Sequence, residues 1–212
     1  MERPKNINQV IAITLIILFS LIGLIGLVAP LTRSWFLQFV PYHLLLMTVI
    51  VVAVHRGGSK QLAIFMLILI VAGFGAECIG VHTGLLFGNY QYGGTLGQKV
   101  SGVPLIIGLN WFLLIYCMGV FMQRGRVKKG WLRILIGAVS LVLLDILIEP
   151  TANRLDYWHW TGVEIHYKNY ICWFILSALF LYVFERFDFK RQSIVAEVLL
   201  IVQFVFFAVL FV

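Results

Sequence analysis

The chain has 212 residues, of which 61% are hydrophobic and 12% charged, and its mean hydropathy is +0.98. A soluble domain carries about 25% charged residues, so a water-soluble globular domain is excluded. The formal net charge of +7 is spread over separate turns and forms no compact basic patch, which argues against a nucleic-acid partner.

A membrane helix needs about 20 predominantly apolar residues. Seven windows qualify in chain order: 8–30, 35–54, 61–81, 102–122, 130–149, 168–184 and 192–212. They take up most of the chain. The expectation is therefore an all-α, polytopic integral membrane protein, with seven transmembrane helices forming one domain over 1–212. The first apolar run is too long for the hydrophobic region of a secretory signal peptide, which has about 7–15 residues. Pro30 also follows the plausible small-residue cleavage point.

Charge tests the helix count. Seven spans put the N-terminus and the connections near 55–60, 123–133 and 185–191 on one face. That face holds Arg3, Lys5, Arg56, Lys60, Arg124, Arg126, Lys128, Lys129, Arg133, Arg186, Lys190 and Arg191, which is 12 of the 16 basic residues. Arg33, Lys99, Arg154 and Lys168 are the other 4. Cytoplasmic loops concentrate Lys and Arg, so the N-terminus is expected in the cytoplasm and the C-terminus outside. The membrane is expected to be a bacterial plasma membrane, with the basic face against anionic lipid heads.

In this topology the unusual residues gather near the outer face. Helix 3 carries Glu77 one turn from its outer end. Helix 4 runs inward from Gly102 and carries Asn110 and Trp111. Helix 5 carries Asp145 and Glu149, spaced i,i+4 and hence stacked on one side. Like charges there favour at least one protonated carboxyl, and an intramembrane acid is by default a functional candidate. The structural alternative for Glu149 is neutralisation by Arg154. Glu197 of the last helix is expected to pair with Arg191 or Lys190. Cys78, Cys117 and Cys172 form no CxxC and read as small apolar packing residues.

The two longest polar connections, 82–101 and 150–167, open on that same face. Ten of the 19 glycines fall between 73 and 108. Irregular backbone at membrane depth survives only against protein or a cavity, so a folded cap over a pocket is expected. Tyr90, Tyr92, Trp158, Trp160, Tyr167 and Tyr170 fit that cap, although an interfacial aromatic belt explains each ring taken singly.

Several chemistries lack their residues. Residues 192–212 hold no lysine for a retinal Schiff base. His43, His55, His82, His159 and His166 include no pair three or four apart, as membrane di-iron sites require. A metal held by Glu77, His82, Glu149 and His159 has only a weak spacing signal. No nucleotide, dinucleotide or haem-attachment motif occurs, and no cofactor is expected. What remains is acid–base chemistry by carboxyl groups beside an aromatic, hydrophobic pocket. Protonation of a carbon–carbon double bond uses these parts: a carboxylic acid as donor, aromatic faces to stabilise the cation, and a second carboxylate to activate water.

The segments ECIGVHTGLLFGNYQYGGTLG (77–97), GVPLIIGLNWF (102–112), DILIEPTANRLDYWHW (145–160) and NYICWF (169–174) resemble the membrane carotenoid hydratases. The resemblance implies addition of water across the terminal 1,2 double bond of a ψ end group, giving a tertiary 1-hydroxyl without a redox cofactor. On this reading Asp145 donates the proton to C2, while Glu149 and Glu77 orient water for attack at C1. Asn110 bonds that water or a carboxylate. Trp111, Tyr90, Tyr92, Trp158, Trp160, Asn169 and Trp173 line the substrate, and His159 relays protons from the outer surface. Where the family often carries a proline, this chain has Ile165–His166. The expected partners are a carotenoid from the bilayer, lipids and other carotenoid-biosynthesis enzymes. Two alternatives use the same residues: a carotenoid cyclase or isomerase that omits water, and a non-enzymatic carotenoid- or lipid-binding membrane protein.

Overall fold

The computed structural model describes residues 7–125, 127–162, 165 and 167–211. Arg3, Lys5 and Arg126 of the charge count, and His166 of the family departure, lie outside the described residues. Among those described, seven helices dominate: α1 (Ile7–Val28), α2 (Pro30–Ala53), α3 (Ser59–Thr83), α4 (Ile106–Arg124), α5 (Gly130–Arg154), α6 (Tyr167–Arg186) and α7 (Val195–Phe211). Four short strands join them: β1 (Tyr90–Tyr92), β2 (Lys99–Val100), β3 (Val103–Pro104) and β4 (Trp158–Trp160). Six of the helices, α1 to α6, are long and apolar enough to cross a membrane, whereas α7 has 17 residues.

Two prolines correct the expected boundaries. Pro30 does not end the first helix; it starts the second, at a first-turn position where its missing N–H costs nothing. The expected polar connection before residue 35 is helical instead. Arg33 Nε donates to the Leu27 carbonyl at 2.9 Å and Thr32 Oγ1 to the Gly26 carbonyl at 2.9 Å, so the last carbonyls of α1 are satisfied by the next helix. Pro150 likewise lies inside α5, which runs on to Arg154. The extra turn docks on α7: Thr151 and Arg154 both donate to the Leu210 carbonyl. Arg154 is therefore engaged away from Glu149.

The bundle is organised around α4. About 72% of its apolar window is buried, against 22–33% for the other five spans. It packs against α2, α3, α5, α6 and α7. Close approach uses small residues, as expected where lipid offers no hydrophobic drive between helices. A Cβ at Gly108 would come within 2.6 Å of the Ile70 carbonyl oxygen.

The end of the bundle where α2 meets α3 is a polar lock. The Gln192 side chain bonds Arg56 through both its N–H and its carbonyl, at 2.8 and 2.7 Å, and accepts from Tyr116 at 3.1 Å. Tyr116 also bonds His55 Nδ1 at 2.6 Å. Glu197 pairs with Arg124 of α4 and not with Arg191 or Lys190. The reason is topological, since α7 packs on α4.

At the opposite end the connections fold into a cap. Strand β1 pairs antiparallel with β4 in the register Tyr90↔Trp160, Gln91↔His159 and Tyr92↔Trp158. Strands β2 and β3 form a hairpin whose turn residues, Ser101 and Gly102, have φ of 51° and 76°. Positive φ at both central positions is the geometry of the tight hairpin turn.

Candidate active site

The cap sorts its side chains by the two-residue period of a strand. Tyr90 and Tyr92 are buried and Gln91 is exposed. Across the ladder, Trp158 and Trp160 share the inner face with the two tyrosines. Ring centroids are 5.4 Å apart for Tyr90–Trp160 and 6.4 Å for Tyr92–Trp158. The expected NYQY and YWHW elements thus form one aromatic ceiling.

That ceiling is hydrogen-bonded to acids from the helices below it. Glu77, near the cap end of α3, is buried and accepts three bonds. Tyr90 and Tyr92 hydroxyls donate to its Oε2 at 2.5 and 2.8 Å, and Trp111 Nε1 donates to its Oε1 at 2.9 Å. Glu149 of α5 also accepts three. Trp160 and Trp158 indole N–H groups donate to its Oε2 at 2.9 and 3.3 Å, and Asn169 Nδ2 donates to Oε1 at 3.2 Å. A carboxylate offers about four acceptor directions, so each glutamate retains roughly one for a further donor. Burial, and after it the Glu77 charge, holds the Tyr90 and Tyr92 hydroxyls far above their ordinary pKa. They stay protonated and remain donors.

Asp145 is placed differently from expectation. It is fully buried behind the wall. Its Oδ2 accepts from Asn169 Nδ2 at 2.7 Å, while Oδ1 has no hydrogen-bond partner among the described residues. Asp145 and Glu149 do stack on one side of α5. However, α6 inserts Asn169 between Asp145 and the open space, and only the longer Glu149 reaches the cavity.

That cavity measures about 460 Å³. Glu77, Glu149, Asn110, Asn169, Trp111 and Trp173 form its polar and aromatic end beneath Tyr90, Tyr92, Trp158 and Trp160. Trp173 packs on Trp111 with centroids 4.6 Å apart. Asn110 lines the wall; among the described residues it bonds neither glutamate. The rest of the wall is mostly apolar and comes largely from α1, α2 and α7, with Leu114 of α4 and Leu144 and Ile148 of α5 beside them.

His159 lies outside the cavity. It faces outward with Gln91, its Nδ1 at 2.5 Å from Asn153 Oδ1 and its Nε2 at 2.6 Å from Asp156 Oδ1. Asp156 also accepts from the Gly94 N–H at 2.6 Å. These bonds, His159 first, hold the Asp156 carboxyl below its usual range. His159 therefore braces the cap from outside, and the expected proton relay is not built. Among the described residues no group of three His, Cys, Asp or Glu side chains is placed to hold a metal.

The sequence reading missed the α1, α2 and α7 wall. Gln203 and His43 line it, and Gln203 Oε1 is buried without a partner among the described residues. A lone histidine in α2 and a lone glutamine in α7, each in an apolar helix, were the available signals.

Comparison with known proteins bears on this architecture. The chain is similar to the bisanhydrobacterioruberin hydratase of Haloarcula japonica, with 24% identity over 195 residues, covering 85% of this chain and 66% of the relative. The chain thus spans slightly less than two thirds of that relative's length. No solved structure matches. The profile of the carotenoid biosynthesis protein family matches residues 38–212, from within α2 through the cap and the acid-bearing helices but not the α1 wall of the cavity, and the chain belongs to that family.

Proposed function

We propose that the protein is a carotenoid hydratase that adds water to the terminal double bond of a ψ end group. One observation carries the reading. Two glutamates, each fixed by three donors, meet an aromatic ceiling at the polar end of a cavity whose remaining wall is mostly hydrocarbon. Family membership and the hydratase relative support the substrate class and the reaction.

In the proposed mechanism the acid pair Asp145/Glu149, joined through Asn169, carries the transferable proton. Glu149 is the member that reaches substrate, so the donor role expected for Asp145 passes to Glu149. Glu149 gives its proton to C2 and the π electrons form the new C–H bond, leaving a tertiary cation at C1. The faces of Trp111, Trp158, Trp160 and Tyr90 attract that cation through their quadrupoles. Water held on the free acceptor direction of Glu77 bonds to C1, and its surplus proton passes to the Glu77 carboxylate. Return of that proton to the acid pair completes a net addition of one water. Asn110 is positioned to hold the water. Among the described residues, no Lys or Arg side chain is recorded in an ion pair with any of the three acids, so a charge developing at C1 meets carboxylates and rings.

The reading includes a seven-span, single-domain topology with the N-terminus in the cytoplasm of a bacterial cell and the site near the outer face. The basic-residue asymmetry supports it. At 17 residues, α7 reaches the lower end of a spanning length. Carotenoid arrives from the bilayer, and lipids and other carotenoid-biosynthesis enzymes are the proposed partners.

The test is expression in cells that make lycopene or γ-carotene, followed by mass analysis of extracted pigments. Hydration adds one water to the substrate mass. A pigment of unchanged mass but altered absorption would replace this reading with a cyclase or isomerase. Unaltered pigment bound to the purified protein would replace it with a binding protein.

A further inference from the structure

The apolar end of the cavity does not close. Phe19 and Ile22 of α1 and Phe39 and Tyr42 of α2 line it. The same four residues are 40%, 44%, 58% and 67% exposed on the outside of the bundle. Side chains that face both the cavity and the exterior mark an opening. Near their connection α1 and α2 are in tight contact, where a Cβ on Gly26 would collide with the ring of Phe36. One turn further along α1, Gly23 lines the cavity, and a Cβ there would meet nothing within 4 Å. The two helices therefore part just beyond their hairpin. Both are apolar enough to cross a membrane, so the gap faces hydrocarbon.

We propose that this gap is a lateral portal for a linear isoprenoid polyene, and that Gly23 sets its width. Resting on the hydratase reading for the chemistry, the reacting end lies at Glu77 and Glu149 while the remainder of the chain passes between α1 and α2 into the bilayer. Size requires such an exit. A cavity of about 460 Å³ is in the range that encloses a drug-sized ligand, about 300–1,000 Å³. A molecule long enough to cross the hydrocarbon core, about 30 Å, must leave part of itself outside. Charge selects the occupant. Among the described lining residues there is no Lys or Arg to seat a phosphate headgroup, and the polar end presents two carboxyl groups and aromatic faces. An uncharged, unsaturated chain end fits that lining, whereas a phospholipid does not. Gly23 acts as a specificity-determining residue because any side chain there projects into the passage.

The test uses the full chain in nanodiscs. Binding is read as hydrocarbon retained per protein in excess of that in protein-free nanodiscs, measured by extraction and mass analysis, and turnover as water added to it. Gly23→Trp is expected to weaken lycopene retention and conversion about tenfold or more, the order by which a hydrophobic pocket discriminates small changes of volume. Retention of an acyclic monoterpene hydrocarbon, short enough to lie wholly inside, is expected to persist. Gly75→Leu is the matched control, because Gly75 also has open space before it and lies outside the cavity lining; it is expected to behave as wild type. Unchanged lycopene binding in Gly23→Trp overturns the portal, as does loss of monoterpene and lycopene retention together, or absence of lycopene retention in the wild type. Saturable lycopene binding that Gly23→Trp abolishes, with no water added by the wild type, leaves the portal standing and removes the hydratase reading alone.

Discussion

Tyr90 and Trp160 face each other across the β1–β4 ladder, yet they donate to different carboxyl groups, Tyr90 to Glu77 and Trp160 to Glu149. One two-stranded ladder thus fixes the spacing of two acids that come from α3 and α5. Strand register becomes carboxyl geometry, and the cap is part of the candidate site as well as its cover.

Two substitutions on that ladder test the coupling. Trp160→Phe keeps the ring over the cavity and deletes the 2.9 Å bond to Glu149. Tyr90→Phe deletes the 2.5 Å bond to Glu77. A hydrogen bond to a charged group is worth about 1.5–3 kcal/mol, so each variant is expected to lose about tenfold to a hundredfold in pigment conversion. Chromatographic behaviour of the purified protein should not change. Wild-type conversion rates in both variants would show that the ladder only covers the site.

Glu149→Gln and Asp145→Asn separate the two members of the acid pair. Glu149 lines the cavity, while Asp145 sits behind Asn169. Loss of a general acid removes about 10²–10⁴ in rate, so Glu149→Gln is expected to fall by that factor. Asp145→Asn retains an oxygen to accept from Asn169 and is expected to lose less. Pigment conversion with time, measured for both at equal protein, decides the order. The reverse order would return the donor role to Asp145.

Much of this was legible in the sequence because polar atoms are rare at membrane depth. Glu77, Asp145 and Glu149 stood out against apolar surroundings, and the Tyr and Trp pairs were evident as clusters. What escaped has physical causes. Proline at 30 and 150 reads as a helix breaker, but it is tolerated at a helix start and in a turn that packs on a neighbour. The i,i+4 spacing placed Asp145 and Glu149 on one side of α5 but carried no information about Asn169, 24 residues away from Asp145, which separates them from the cavity unequally. The apolar wall from α1, α2 and α7 was invisible because lipid-facing and cavity-facing positions draw on the same residues when no hydrophobic drive separates them.

The outer brace of the cap gives a pH dependence whose sign is fixed. The Asp156 carboxyl is held low in the folded protein, first by His159 and then by the Gly94 N–H. A group with a depressed folded pKa stabilises the fold above its unfolded value, about 3.9 for Asp, and that contribution is lost as pH falls through the folded value. Amide protection over the 89–97 segment, taken relative to the intrinsic exchange rate at each pH, is expected to be high at neutral pH and to fall below pH of about 3.9. Asp156→Asn is expected to show low protection throughout. Asp156 is half exposed, so the effect belongs to local cap opening, and the unfolding temperature of the bundle should barely move. Acid-insensitive protection in the wild type would remove the brace from the account.

Gly73 ties packing of the bundle directly to the site. On α3, one turn before Glu77, a Cβ at this position would come within 2.7 Å of the Cβ of Trp111. Trp111 is buried and donates to Glu77 Oε1 at 2.9 Å. In Gly73→Ala the indole must move or the two helices must part. Overpacking of this kind costs about 1–3 kcal/mol, and the displaced indole no longer reaches Glu77. A second substitution then becomes diagnostic. Trp111→Phe removes the N–H without the clash, so it should lower conversion while leaving the unfolding temperature in detergent near that of the wild type. Gly73→Ala should lower both. In the double variant the conversion losses should not add, because both substitutions break the same bond to Glu77. Additive losses would mean that Gly73 acts on turnover by another route, and that the contact between α3 and α4 does not set the position of the Trp111 donor.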